Sequence, residues 1–207
     1  MTEPKQQKLT FTLEELGRLK GEVLRGRPYA ERVSISMALH LVYNRETRGD
    51  YFPVLDELDY LEGIGRATPT KAAAQFKRGA ISFLYHKHYS APRHILPNIR
   101  IRWERGHSRN HDFAEMIDNV ARDHGDDPDA WPGVLATQLT RDGYQDRVRC
   151  GATGDWIVFG KHDGLNYYLG LASHEEGRDP DKLLAVLKQN CEAEYPFLFK
   201  ASKDRRT

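Results

Sequence analysis

The sequence predicts an α+β fold: N-terminal helices, a small antiparallel sheet with a C-terminal hairpin, and a closing C-terminal helix. Three observations carry this. Residues 1–75 hold most of the helix-capping signals and 3.6-residue apolar stripes. Trp156-Ile-Val-Phe159 and Asn166–Ala172 flank His162-Asp163-Gly164, where Asp-Gly favours a tight reversal. Asp179-Pro180 then opens an apolar stripe of Leu183, Leu184, Leu187 and Cys191. Helices followed by a sheet and a closing helix define the class.

The elements follow in order. Thr12 and Glu15 form a capping box, Phe11 can staple onto Leu16, and Leu13, Leu16, Val23 and Leu24 form a stripe ending near Gly26. Pro28 can open a second helix with Ala30, Val33, Met37 and Leu41 on one face, and 44–50 is a polar connection. Pro53 opens a third helix through Leu55, Leu58 and Leu61, stopped by Gly63 and Gly65. Thr68-Pro69 reads as the cap of a short helix through Ala72–Ala74. Gly79–Tyr89 is rich in aromatic and β-branched residues and favours a strand, with Ser82, Leu84, His86 and His88 on one face, while a helix also fits so short an apolar run. From Ile95 to Trp103, strand and helix spacings both fit, so that element stays open. Phe113–Ala121 is a helix ending near Gly125, residues 126–129 are a loop, and Trp131-Pro132 opens a helix through Leu135 and Leu139. Phe197, Leu198 and Phe199 should dock on the core.

With 207 residues, 39% of them hydrophobic, the chain suits a single domain over 1–207, mainly helical to residue 75 and α+β over 76–199, where the candidate site falls. Its 31 basic and 30 acidic residues leave a net charge of +1, so only the distribution of charge can indicate partners. Two cysteines, Cys150 and Cys191, without CxxC spacing, exclude a zinc ribbon and read as reduced core thiols. The polar residues 1–8 lack a signal-peptide core, and no run approaches the ~20 apolar residues of a membrane helix. The expectation is a cytoplasmic protein without membrane partners. Nucleotide-cradling glycine motifs, HExxH and GxSxG do not occur.

Chemistry concentrates in two stretches. Residues 76–109 collect Lys77, Arg78, Lys87, Arg93, Arg100, Arg102, Arg105 and Arg109 around His86, His88, His94 and His107, interleaved with Phe83, Tyr85, Tyr89 and Trp103. Such a field attracts phosphates, and the rings can stack bases; the bland alternative is a solvated basic face. His86-Lys87-His88 with Arg93 offers imidazoles for proton transfer and cations for a charged phosphorane. The His-x-His alternation is also a candidate metal pair, with His174 and Glu175 or His162 and Asp163 to complete it. The second stretch, 155–176, carries Lys161, Tyr167, Tyr168 and His174. Period two turns one of the two tyrosines outward, and His174 falls at a strand end, where a loop exposes a side chain fixed by the sheet.

Phe76-Lys-Arg-Gly79 running into Leu84-Tyr-His-Lys-His-Tyr89, and Lys161-His-Asp-Gly-Leu-Asn-Tyr-Tyr-Leu169 running into His174, resemble short motifs of uncharacterised bacterial and phage-borne proteins. The arrangement is also similar to small RNase toxins of the barnase–EndoU–colicin–RelE type. That resemblance implies metal-independent RNA cleavage with His86, His88 and His174 as acid/base groups and Lys87 and Arg93 as phosphate stabilisers. Arg78, His94, Arg100, Arg102, Lys161 and Tyr168 complete the set as substrate-binding candidates. No cofactor is called for; the candidate partners are RNA and a protein antitoxin or regulator. A non-catalytic nucleic-acid- or protein-binding module and a metal-dependent hydrolase using His86 and His88 stand as alternatives.

Overall fold

The computed structural model describes residues 10–47, 49–104, 111–125, 127 and 129–200. The expectations for residues 1–8 and for Arg105, His107, Arg109, Asp126 and Pro128 lie outside the described residues.

Thr12 caps α1 (Leu13–Leu24) through the capping box, and Arg25 and Gly26 end it in left-handed conformations. Only the last turns of α1 pack: Val23 and Leu24 are buried, whereas Leu13 stands in solvent. The second helix starts later than Pro28 suggests. Val33 bridges to Tyr168 and the Ser34 hydroxyl accepts from the Met37 amide, so α2 spans Ile35–Thr47 after a short 3-10 turn. α3 (Tyr51–Leu61) follows. The helix expected at 72–74 is instead extended, because Thr70 bridges to Ala152 and β1 (Ala74–Gln75) pairs with β2 (Tyr85–His88).

β2 is shorter than the aromatic run suggests. Residues 80–83 turn, which buries Ile81 and Leu84. β3 (Trp156–His162) and β4 (Leu165–Ala172) meet at Asp163-Gly164, both with positive φ, as a tight two-residue reversal demands. The sheet order is β1-β2-β3-β4, antiparallel throughout. α1–α3 cover one face around Leu41, Leu58, Ile157, Phe159 and Tyr168. α8 (Pro180–Cys191) and α9 (Pro196–Lys200) cover the other around Val158, Leu169, Leu187 and Phe199. Cys150 and Cys191 are unpaired, the first exposed and the second buried.

Between the paired neighbours β2 and β3 the chain makes a helical excursion. α4 (Ile95–Glu104) resolves the open reading of 95–103 as helix; α5 (His111–Asp123) and α6 (Trp131–Thr137) follow, then a π-helical turn over 138–142 and α7 (Gly143–Arg149). α4 packs against α7, and the indole N–H of Trp103 donates to the Leu139 carbonyl inside the π turn. No described helix is long and apolar enough to cross a membrane.

Candidate functional site

The site lies at the end of the sheet where β3 begins and β4 ends. Register puts His88 opposite Trp156 and Trp156 opposite Ala172, so His174, two residues further on, folds back over the row. The Trp156 ring centroid lies 5.1 Å from that of His86, 6.1 Å from His88 and 4.6 Å from His174. His88 and His174 stack at 5.2 Å. Alternation along β2 therefore gathers His86 and His88 with the distant His174 on one indole.

Beside them opens a cleft of about 700 Å³ between the sheet end and the helical excursion, within the ordinary range for ligand sites. His174, Trp156, Asp155 and Gly154 form one side, His94, Ile101 and Arg147 the other, with Lys71 and Arg178 also on its lining. Asn98 fixes the two sides. Its buried amide donates to the His94 and Thr153 carbonyls at 2.8 and 2.6 Å and accepts from the Thr153 amide at 2.9 Å.

Proton positions follow from the hydrogen bonds. His88 Nδ1 donates to the Gly154 carbonyl at 2.7 Å, which leaves Nε2 bare in the neutral ring. Burial, with His174 and His86 nearby, pushes this imidazole down to about 4 despite the Gly154 hydrogen bond. Burial likewise lowers His86 and His174, the latter against the opposing charge of Asp155. In His94, Nδ1 accepts from the Ala91 amide at 3.0 Å, so Nε2–H points to Asp155 at 3.5 Å. Burial alone would raise the Asp155 carboxyl, but His94 and Arg93 outweigh it and hold the group at about 2.

These shifts predict a pH dependence of stability. A histidine whose folded pKa lies below its unfolded value takes up a proton on unfolding. Its contribution is complete above pH 6.5 and is lost as pH falls towards 4. For His88 alone the loss is on the order of 3 kcal/mol. Urea denaturation between pH 7 and 4 should show it, and His88→Gln should flatten that limb.

Several candidates sit elsewhere. Lys87 is corrected: alternation turns it to the opposite face, 1% exposed, where its ammonium meets Glu57 at 2.8 Å and donates to the Lys71 carbonyl at 2.9 Å. Arg93 is clamped between Asp155, at 2.7 Å, and the buried Asp50, so it orients Asp155 rather than facing the cleft. Tyr168 is also corrected. Both sheet faces are covered, so neither tyrosine points outward, and the Tyr168 hydroxyl donates to Glu62 at 2.6 Å within the core. Arg102 is held by Asp112 and Asp146. Lys161 lies over the Tyr85 ring towards the far end of β3, roughly 17 Å along the strand from Trp156. Arg78 is exposed in the turn before β2 and Arg100 on α4, neither on the cleft. Among the described residues, no group of three or more His, Cys, Asp or Glu is placed to hold a metal ion.

Lys71, Arg147, Asp155, Trp156, Gly177 and Arg178 were not singled out by sequence reasoning. They carry no local motif and meet only through the fold. Gly177 is forced by the site: a Cβ there would fall 2.0 Å from the Trp156 ring. Gly177→Ala should displace the indole, cost about 1–3 kcal/mol and change the tryptophan fluorescence of the folded protein. No protein-family profile, curated protein sequence or solved structure matches this chain.

Proposed function

We propose that the cleft binds RNA and cleaves it by metal-independent transfer to the 2′-hydroxyl. The observation that carries this is one exposed imidazole, His174, backed by the buried His88 and sharing a cleft with three cations, Lys71, Arg147 and Arg178. His174 in its neutral form takes the 2′-hydroxyl proton. Lys71, Arg147 and Arg178 face the phosphoryl oxygens as charge develops, and the Lys71 ammonium is the acid available to the leaving 5′-oxygen. His88 and His86 position His174 through the shared indole, a change from the direct roles expected of them. Asp155, held ionised, sets the field beside His174.

The test is purified protein incubated with single-stranded RNA in excess EDTA. Cleavage to 2′,3′-cyclic phosphate ends is the expected result. Intact RNA across pH 5–9 and a wide salt range would refute it. A second reading, nucleic-acid binding without cleavage, is favoured by the depressed basicity of His86, His88 and His174, which leaves the cluster short of acid groups near neutrality. Binding that falls steeply with salt and ignores His174→Ala would select it. A protein antitoxin or regulator remains a proposal of the same rank, tested by co-purification from a cell that expresses the chain.

A further inference from the structure

Among the described residues two lysine or arginine side chains are buried, Lys87 at 1% exposure and Arg147 at 7%. A buried cation is ordinarily matched by a carboxylate, and Lys87 has Glu57 at 2.8 Å. Arg147 has no such partner among the described residues. Its neighbour in sequence, Asp146, turns to Arg102 and Arg149. Asp155, the carboxylate on the cleft lining, is taken by Arg93 and His94. The Arg147 guanidinium makes two hydrogen bonds, both at the outer limit of the interaction. Its Nε donates to Asn98 Oδ1 at 3.4 Å and its Nη2 to the Gly151 carbonyl at 3.5 Å.

Asn98 cannot tighten its hold. Its Oδ1 already accepts from the Thr153 amide at 2.9 Å and the Thr153 hydroxyl at 3.2 Å, which occupies both lone pairs. The Nη1 of Arg147 makes no hydrogen bond among the described residues. It is not sealed from solvent either, and Arg147 lines the cleft. Lys71 comes to the same corner. Gly151, whose carbonyl faces Arg147, lies so close to Lys71 that a Cβ on it would fall 2.9 Å from Lys71 Cγ. Two cations from opposite parts of the fold, α7 and the lead-in to β1, therefore meet at Gly151 with no carboxylate between them.

We infer that this corner holds a phosphoryl oxyanion in the fork of Arg147 with Lys71 beside it, and that the bound anion, in place of a protein carboxylate, fastens α7 to the lead-in of β1. The inference needs no proton transfer and no ribose, so it goes beyond RNA cleavage and stands apart from it. A guanidinium fork matches two oxygens of one phosphoryl group, and an ammonium adds a point charge beside them. A buried cation without a counter-charge weighs against the folded state until an anion arrives. The free chain is therefore held below the stability that its packing would give, and the ligand restores it. Inorganic phosphate and the phosphodiesters of a nucleic acid backbone offer the same chemistry.

The experiment is thermal melting of the full chain in EDTA, at neutral pH and constant ionic strength. Chloride is exchanged for inorganic phosphate, or a single-stranded oligodeoxynucleotide without terminal phosphates is added. Phosphate should raise Tm by at least about 3 °C, because it binds the folded state alone. Arg147→Met should remove that rise and, in chloride, melt no lower than the parent, the reverse of losing a satisfied guanidinium. Lys161→Gln, at the far end of β3, should keep the rise, which separates the corner from general screening. If Arg147→Met does not fold, Arg147→Lys, which keeps the charge without the fork, should bind phosphate at least about tenfold more weakly by calorimetry. The inference is overturned by a Tm indifferent to phosphate, by a rise that survives Arg147→Met, or by a folded Arg147→Met that melts below the parent in chloride. Arg147→Lys binding phosphate as tightly as the parent overturns it too. Stabilisation by the oligonucleotide through Arg147 identifies a nucleic acid backbone as the source of the anion; stabilisation by inorganic phosphate alone identifies the free ion. A phosphate-dependent Tm without RNA cleavage removes only the catalytic reading; cleavage by a chain whose Tm ignores phosphate removes only the anion corner.

Discussion

Replacing His174 by alanine should lower the proposed RNA cleavage by about 10²–10⁴-fold, the range that proton transfer by a positioned side chain supplies. The fold should persist, because His174 lies past the end of β4 on the surface and its ring stacks on His88 rather than filling the core. A pH profile separates a proton-transfer role from a packing one. Burial lowers the His174 pKa below 6.5, and Asp155 opposes the shift only in part. In the proposed mechanism the neutral ring is the base, so cleavage should rise with pH through a point below 6.5 and level off by neutrality. A rate indifferent to pH between 5 and 7, or a His174→Ala variant as active as the parent, would remove His174 from the chemistry. His174→Asn, which keeps the polarity without the base, should be as inactive as alanine.

The largest expected loss of stability is at Glu57. Its carboxylate lies in the core on α3, takes hydrogen bonds from Thr68 at 2.7 Å and Thr70 at 2.8 Å, and pairs with the buried Lys87 ammonium. Glu57→Ala strands that ammonium away from water and should cost about 3–5 kcal/mol, read from urea denaturation. The double variant Glu57→Leu with Lys87→Met should recover most of the loss, because it removes both charges together. Its cleavage should still fall. Lys87 holds the carbonyl of Lys71, and Lys71 lines the cleft. If the double variant were as unstable as Glu57→Ala, charge burial would not be the cause.

What the sequence revealed depended on how local the signal was. The Thr12–Glu15 capping box, the Asp163-Gly164 reversal and the Asp179 cap each rest on residues within a few positions, and each appears in the fold. Alternation also placed His86 and His88 on one face of β2, and His174 was expected just past a strand end, but only the sheet order of the fold brings it beside them. The same alternation placed Lys87 on the other face, but nothing in the sequence says that a carboxylate 30 residues earlier waits there. Thr68-Pro69 looks like a helix cap because its chemistry suits one; Glu57 recruits Thr68 and Thr70 instead, and the chain stays extended. Tyr168 was read as half of an in-and-out pair, which holds only for a sheet with one wet face. The cleft itself is assembled from residues 71, 94, 147, 155, 174 and 178, and no window of sequence contains them together.

β2 and β3 are adjacent antiparallel strands, a pairing that needs no more than a two-residue link, yet 89–155 are threaded between them. One jaw of the molecule is therefore mounted on a frame that closes without it. If the cleft binds as proposed, changes in the length or sequence of that jaw would alter what it accepts, while the β2–β3 pairing itself does not require the jaw.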